Sequence, residues 1–380
     1  MKPKPHTIAL SAPKLDANAI AEVTRAIEDN WITAGGPFVT KFENSLQEAL
    51  GTQRDLVALN SGTSALHLAL ILAGVQAGDS VLCQTMTYVA TANPIAYLGA
   101  MPIFIDSEAE TYNMCPEVLE NTVESLIQKG NKPKAIIVVH SYGMPAKIKR
   151  IAEVAKKYHI VLIEDAAEAL GSKVGEQFCG LFGDYGILSF NGNKLITTGG
   201  GGALISKNTD DATQVRHLAS QAKMNASGFE HDNVGYNYIM PGLNAALGIA
   251  QLKTLHERVA TKRKIHQFYA AIFDEIDDVD LFESFDKELY SNYWLNVIQF
   301  KESSLKSPEG LRIYFEKRAI ESRFLWTPLH LQGIYTHQKY FGNATAEEFW
   351  KRSLCLPSGT GMTADELDRI KDELIAYFSD

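Results

Sequence analysis

Cysteine is scarce in this chain: four residues in 380, Cys83, Cys115, Cys179 and Cys355. No two of them form a CxxC pair, which argues against both a zinc site and a disulfide framework. Cys83 lies within an apolar run and reads as a small core residue. Long apolar runs are missing too, and none approaches the ~20 residues that a spanning helix needs. The opening Met1-Lys2-Pro3-Lys4-Pro5-His6 lacks the apolar stretch of a secretion signal. Together these absences predict a soluble cytoplasmic protein with no membrane contact and no metal. Positive charge is in deficit as well: 36 Lys and Arg against 45 Asp and Glu give a net charge of -9. That argues against a nucleic-acid surface, although a local basic pocket can still take an anionic substrate. Internal repeats and low-complexity tracts are also lacking.

Short apolar runs recur along the first two thirds of the chain, at 56–60, 80–84, 102–105, 135–139, 160–164, 186–190 and 202–206. They are rich in Val, Ile and Leu and do not alternate with polar residues. Strands buried on both faces, as in a mainly parallel sheet, have this character. Between them, segments such as 64–74, 116–128 and 147–157 carry apolar residues at helical spacing. Pro116 suits the first turn of its helix, where the missing N–H has no role. Alternating strands and helices predict a layered α/β fold with a seven-stranded, mostly parallel sheet. After Gly242 the pattern changes. A long helix is predicted over 243–272, then a strand-like stretch at 293–300, a helix over 305–318 and a terminal helix over 364–378. These suggest a large α/β domain over residues 1–250 and a smaller α+β domain over 251–380.

In an open parallel sheet, ligands bind beyond the carboxyl ends of the strands. Three runs end there in polar residues. The first leads into Ser61-Gly62-Thr63-Ser64 and then a helix. Small residues at such a turn expose N–H groups at a helix N-terminus and can hold phosphate, though an ordinary helix cap looks the same. The fifth run leads to Asp165, whose carboxylate can keep a pyridine nitrogen protonated. The rival reading is again a cap, with Glu168 completing a capping box. The sixth leads through Asn191-Gly192-Asn193 to Lys194, just before Gly199-Gly200-Gly201-Gly202. Most lysines are surface groups, but an amine between a buried strand and a glycine run is well placed to form a Schiff base and to move a proton.

Taken together, these sites resemble the DegT/DnrJ/StrS family of pyridoxal phosphate (PLP)-dependent sugar aminotransferases. The likeness runs from Asn30-Trp31-Ile32-Thr33 to Leu356-Pro357-Ser358-Gly359. It is carried by Asn60-Ser61-Gly62-Thr63-Ser64-Ala65-Leu66, Glu164-Asp165-Ala166-Ala167-Glu168-Ala169, Ser189-Phe190-Asn191-Gly192-Asn193-Lys194 and Gly235-Tyr236-Asn237-Tyr238. The resemblance implies the type I aminotransferase fold and a homodimer with shared active sites. By the same likeness Lys194 bears the cofactor, Asp165 pairs with the pyridine nitrogen and Tyr88 stacks on the ring. Thr63, Ser64 and Ser189 hold the phosphate, and Asn237 reaches the phosphate of the partner subunit.

Glu168, Asn191-Gly192-Asn193-Lys194 and the glycine run depart from many members of the family and are similar to the bacillosamine-pathway branch. That branch aminates the 4-keto group of a UDP-linked 2-acetamido-2,6-dideoxy hexose, with glutamate as donor. Glu168 would then contact the ring hydroxyl or the substrate. Arg323 and His330 are the candidates for the substrate diphosphate, and Trp31 and Trp326 for its sugar or base. A GDP- or dTDP-linked sugar and a non-catalytic binding protein on the same fold are the alternatives.

Overall fold

The computed structural model describes residues 7–224 and 229–379; Met1–His6 lie outside the described residues. All seven predicted runs are strands of one sheet: β1 (Leu56–Leu59), β2 (Ser80–Gln84), β3 (Met101–Ile105), β4 (Ala135–Val139), β5 (Val161–Asp165), β8 (Tyr185–Ser189) and β9 (Gly202–Ile205). Between β5 and β8 lie two short strands, β6 (Lys173–Val174) and β7 (Gln177–Phe178). In the second part of the chain follow β10 (Val279–Leu281), β11 (Leu289–Tyr290), β12 (Asn296–Phe300), β13 (Arg323–Phe324), β14 (Tyr340–Phe341) and β15 (Ser353–Leu356).

The large sheet has eight strands, in the order β1-β9-β8-β5-β4-β2-β3-β14. The run from β8 to β14 is parallel; β9 is antiparallel to both β8 and β1. The eighth strand is the one that sequence analysis does not foresee. β14 is two residues long and far from the other strands in sequence, and it docks beside β3, where Phe104 N–H donates to Lys339 O at 2.8 Å. β1, β2 and β4 are buried along their whole length. Burial on both faces explains why their residues do not alternate.

The predicted helix over 243–272 is two helices, Gly242–Leu252 and Leu255–Phe273. They are separated at Thr254, which leaves helical geometry at φ -112° and ψ 16° and whose hydroxyl takes an N–H from Arg258 Nε at 2.9 Å. The first helix packs on Ala17–Glu28 and Pro37–Ala49. Gly248 allows that approach, since a Cβ there would lie 2.5 Å from a Phe42 ring carbon. The second helix covers a four-stranded antiparallel sheet, β10-β12-β15-β13. β12 falls within the predicted 293–300 stretch. The predicted helices at 305–318 and 364–378 are Pro308–Glu316, capped by Ser307, and Ala364–Ser379. We propose the division into residues 1–250 and 251–380 with two exchanges: Ile8 bridges Ile320 and sits in the smaller core, and β14 joins the larger sheet. Among the described residues no helix is long and apolar enough to cross a membrane, and no cluster of His, Cys, Asp and Glu is suited to a metal ion.

Candidate active site

The carboxyl ends of β1, β5 and β8 meet at a cavity of about 620 Å³. β5 ends in Glu164-Asp165, and neighbouring strand residues face opposite sides of a sheet. Glu164 turns away from the cavity. It lies 3.0 Å from His140 Nε2 and accepts the N–H groups of Gly180 at 2.9 Å and Gly183 at 2.6 Å, which ties down the segment entering β8. Asp165 lines the cavity. Its Oδ2 accepts from Thr91 Oγ1 at 2.8 Å and its Oδ1 from the Ala167 N–H at 3.2 Å. Burial pushes the Asp165 carboxyl up; the two hydrogen bonds and the charges of Lys194 and His140 act against that rise.

No helix follows Asp165, so Glu168 completes no capping box. Instead Glu168 Oε1 lies 3.0 Å from Lys194 Nζ, while its Oε2 accepts the Tyr142 N–H at 2.8 Å. Burial pushes this carboxyl up as well, opposed first by the Lys194 charge. Tyr142 itself is buried at φ +58°, a left-handed conformation unusual for a bulky residue. Its ring stacks on Trp326 at 4.6 Å and its hydroxyl accepts from the Trp326 N–H at 3.2 Å, contacts that hold its N–H toward Glu168. Strained backbone of this sort persists only where its surroundings enforce it.

Lys194 follows a tight turn closed by its own N–H to Asn191 O at 3.0 Å. Its side chain is 14% exposed. Across the cavity the helix Gly62–Leu72 begins with Ser61 as cap, its hydroxyl accepting the Ser64 N–H at 3.0 Å. Gly62, Thr63, Ser189, Gly200 and Gly201 line this end. A Cβ on Gly62 would lie 3.2 Å from Ser189 Cβ, so the close approach of helix and strand depends on the glycine. Ser64 does not line the cavity: its buried hydroxyl donates to Asn60 Oδ1 at 2.6 Å. Tyr88 lines the cavity and is 55% exposed, its ring 6.2 Å from that of Trp326.

The opposite wall comes from the second part of the chain: Trp294, Leu295, Arg323, Phe324, Trp326 and Cys355. Of the predicted substrate residues, Arg323 and Trp326 are there; Trp31 and His330 are not. Trp31 is half exposed away from the cavity. His330 stacks on Tyr340, with Nδ1 2.7 Å from Thr85 Oγ1 and Nε2 3.3 Å from Glu347, and so braces the segment carrying β14. Asn237 is exposed outside the cavity of its own chain, where its carbonyl accepts from Asn60 Nδ2 at 3.0 Å. Thr91, Tyr142 and Trp294 are the site residues that sequence analysis passes over. Each lies outside the motifs that carry the family resemblance, and nothing in its local sequence marks it.

The donor set fits pyridoxal phosphate. An amine faces two buried carboxylates at the sheet edge, and a capped helix N-terminus with Ser189 opposite offers a phosphate seat.

Comparison with known proteins agrees. EpsN of Bacillus subtilis (strain 168), which carries the name of a pyridoxal phosphate-dependent aminotransferase, is 40% identical over 375 residues, 98% of this chain and 96% of EpsN. GDP-perosamine synthase of Escherichia coli O157:H7 is 33% identical over 373 residues, 98% of this chain and 99% of that enzyme. The crystal structure of the aminotransferase TlmJ from Streptoalloteichus hindustanus matches with a TM-score of 0.89 at 28% identity, covering 98% of this chain and 99% of that one. Residues 13–375, a span that includes every residue of the cavity wall except Leu10, match one family throughout: the chain belongs to the DegT/DnrJ/EryC1/StrS aminotransferase family.

Proposed function

We propose that this protein transfers the amino group of glutamate to the 4-keto carbon of a nucleotide-linked sugar, with pyridoxal phosphate as its cofactor. The observation that carries this reading is the meeting of Lys194, Glu168 and Asp165 in one cavity with a capped helix N-terminus across from them. When bound, the cofactor supplies an aldehyde that reacts with amines and a protonated pyridine ring that withdraws electrons from the attached carbon.

The chain's own residues do the rest. Asp165 holds the proton on the ring nitrogen, and Thr91 and Ala167 keep its carboxylate aimed. Lys194 Nζ would remove the α proton of glutamate in one half of the reaction and deliver a proton to the 4-carbon of the sugar in the other, because it is the amine at the cavity floor. Glu168 holds that amine in place at 3.0 Å. Thr63, Ser189 and the N–H groups of the helix start bind the phosphate; Ser64 contributes as part of the capped turn. Tyr88 covers the ring face. Arg323, exposed at the cavity mouth on an edge strand, draws in the diphosphate. In a homodimer Asn237 would complete the phosphate seat of the partner subunit.

Among nucleotides we favour UDP carrying an N-acetylated sugar, supported by Glu168 and the Asn191-Gly192-Asn193 loop. The likeness to GDP-perosamine synthase speaks for GDP instead. A panel of UDP-, GDP- and dTDP-linked 4-keto sugars with glutamate, scored by mass spectrometry for the amino sugar, decides. The UDP-linked N-acetyl substrate is expected to have the highest kcat/KM; a GDP-linked winner would remove the finer reading, and no product from any of them would remove the broader one.

A further inference from the structure

Behind Lys194 stands a residue that the proposed chemistry does not use. Trp294 lies just before β12, in the second part of the chain, and is 2% exposed. Its ring centroid is 4.1 Å from Lys194 Nζ. Its indole Nε1–H donates to Asn193 O at 2.8 Å, so the same side chain grips the residue before Lys194. Its own backbone is fixed at both ends. The Trp294 N–H donates to Asn292 Oδ1 at 2.8 Å, and Asn292 Nδ2 in turn donates to Glu168 O at 2.9 Å and Leu170 O at 2.8 Å. Trp294 O accepts from Lys262 Nζ at 2.6 Å. Lys262 is buried with no ion-pair partner among the described residues. Its one short contact is that carbonyl; Ser11 Oγ lies farther off at 3.5 Å. On the other side the ring lies 6.2 Å from Trp326, at 19°.

We propose that Trp294 is a positioning residue for Lys194, its ring face holding the free amine beside Glu168 whenever that amine is not bonded to the cofactor. This rests on the function proposed above. A cation over an indole face is attracted by the ring quadrupole, most strongly where water is excluded. Glu168 supplies charge from one side and Trp294 supplies a face from another, so the amine stays at the cavity floor instead of swinging toward the mouth. The indole N–H adds a second hold through Asn193. An apolar residue of similar bulk would fill the space and do neither.

The test compares Trp294→Phe, which keeps a ring face, with Trp294→Leu, which does not. The primary readout is the rate at which the visible band of lysine-bound cofactor forms when PLP is mixed with the cofactor-free protein. The expected order is wild type, then Phe within about threefold, then Leu slower by about tenfold or more, the loss expected when a reacting amine is no longer held in place. Turnover with glutamate should follow in kcat, with KM nearly unchanged. Equal rates for Phe and Leu, or a wild-type rate for Leu, would overturn the proposal. If Trp294→Leu does not fold, as judged by its thermal transition, Trp294→Met takes its place. A wild-type protein that forms no band at all would overturn the functional reading itself; a normal wild-type band with unaffected variants would overturn the role of Trp294 alone.

Discussion

Two cavities of equal size, each about 620 Å³, lie at opposite ends of the same strands. One is at the carboxyl ends and holds Lys194, Asp165, Glu168 and Arg323. The other is at the amino ends of β5 and β8, lined by Arg54, Lys156, His159, Asp184 and Lys207 among others. Both are charged, so neither volume nor charge tells them apart. The difference lies in what the charges do. Arg54 is tied to backbone carbonyls, with Nε to Ser206 O at 2.7 Å and Nη1 to Gly183 O at 2.9 Å, and Lys207 pairs with Asp184 at 2.8 Å. These groups fasten the loops around β8 and β9. At the carboxyl ends, Arg323 has no such ties among the described residues, and Asp165 and Glu168 are buried around a single amine. A polar group that the fold leaves available to a ligand marks the site; one that the fold already uses marks a brace.

That contrast can be broken most directly at Lys194. Lys194→Ala should abolish the visible cofactor band and lower glutamate-to-keto-sugar transfer by roughly a thousandfold or more, as expected on removing the reacting amine; rapid-scan absorbance with product analysis checks both, and near-normal turnover would end the assignment. Lys262→Met probes a group between the two classes, a buried amine bonded only to neutral oxygens. Burial pushes Lys262 from its ordinary 10.5 down to about 7. Between those values the unfolded chain binds more protons than the folded one, so this lysine's contribution to stability rises with pH and is least favourable below pH 7. Relative to wild type, the Met variant should therefore be roughly 2–3 kcal/mol better off at pH 6 than at pH 9, read from urea midpoints at the two pH values; an unchanged gap would contradict the burial of a lone amine.

Arg323→Ala should raise KM for the sugar nucleotide by about tenfold, the loss of one charge-assisted phosphate contact, and leave the glutamate half of the reaction nearly untouched. Steady-state kinetics with each substrate varied separates the two. The smallest effect is predicted at the other end of the strands. Lys207→Ala removes an exposed pair and should change stability by no more than about 1 kcal/mol and kcat/KM by less than twofold, as thermal melts and initial rates would show. A large loss of activity there would mean that the second cavity is also a working site.

Much of the first cavity was legible in the sequence because its parts are local. Asp165 ends a buried strand, Lys194 follows one after a short loop, and Ser61 caps the helix that follows another, so the pattern of buried strands alone brings them to one edge. The second wall was less legible. Arg323 and Trp326 stood out by residue type, but Trp294 lies in an apolar stretch that reads as core, and its neighbour Lys194 is 100 residues away. His330 had the right chemistry and the wrong place: its partners Thr85, Tyr340 and Glu347 are brought together only when β14 docks on β3. Glu168 was foreseen as a contact, yet its alternative as a cap was excluded only by the missing helix after Asp165.

By itself, then, the sequence determined the seven buried strands of the large sheet, the edge on which a ligand sits and the family of the chain, since these follow from patterns a few residues long. Tertiary structure alone decided the eighth strand, the break at Thr254 and the wall facing Lys194. Those depend on long-range packing: a two-residue strand has no periodicity of its own, and a tryptophan shows that it is aimed at an amine only once distant segments have folded against each other.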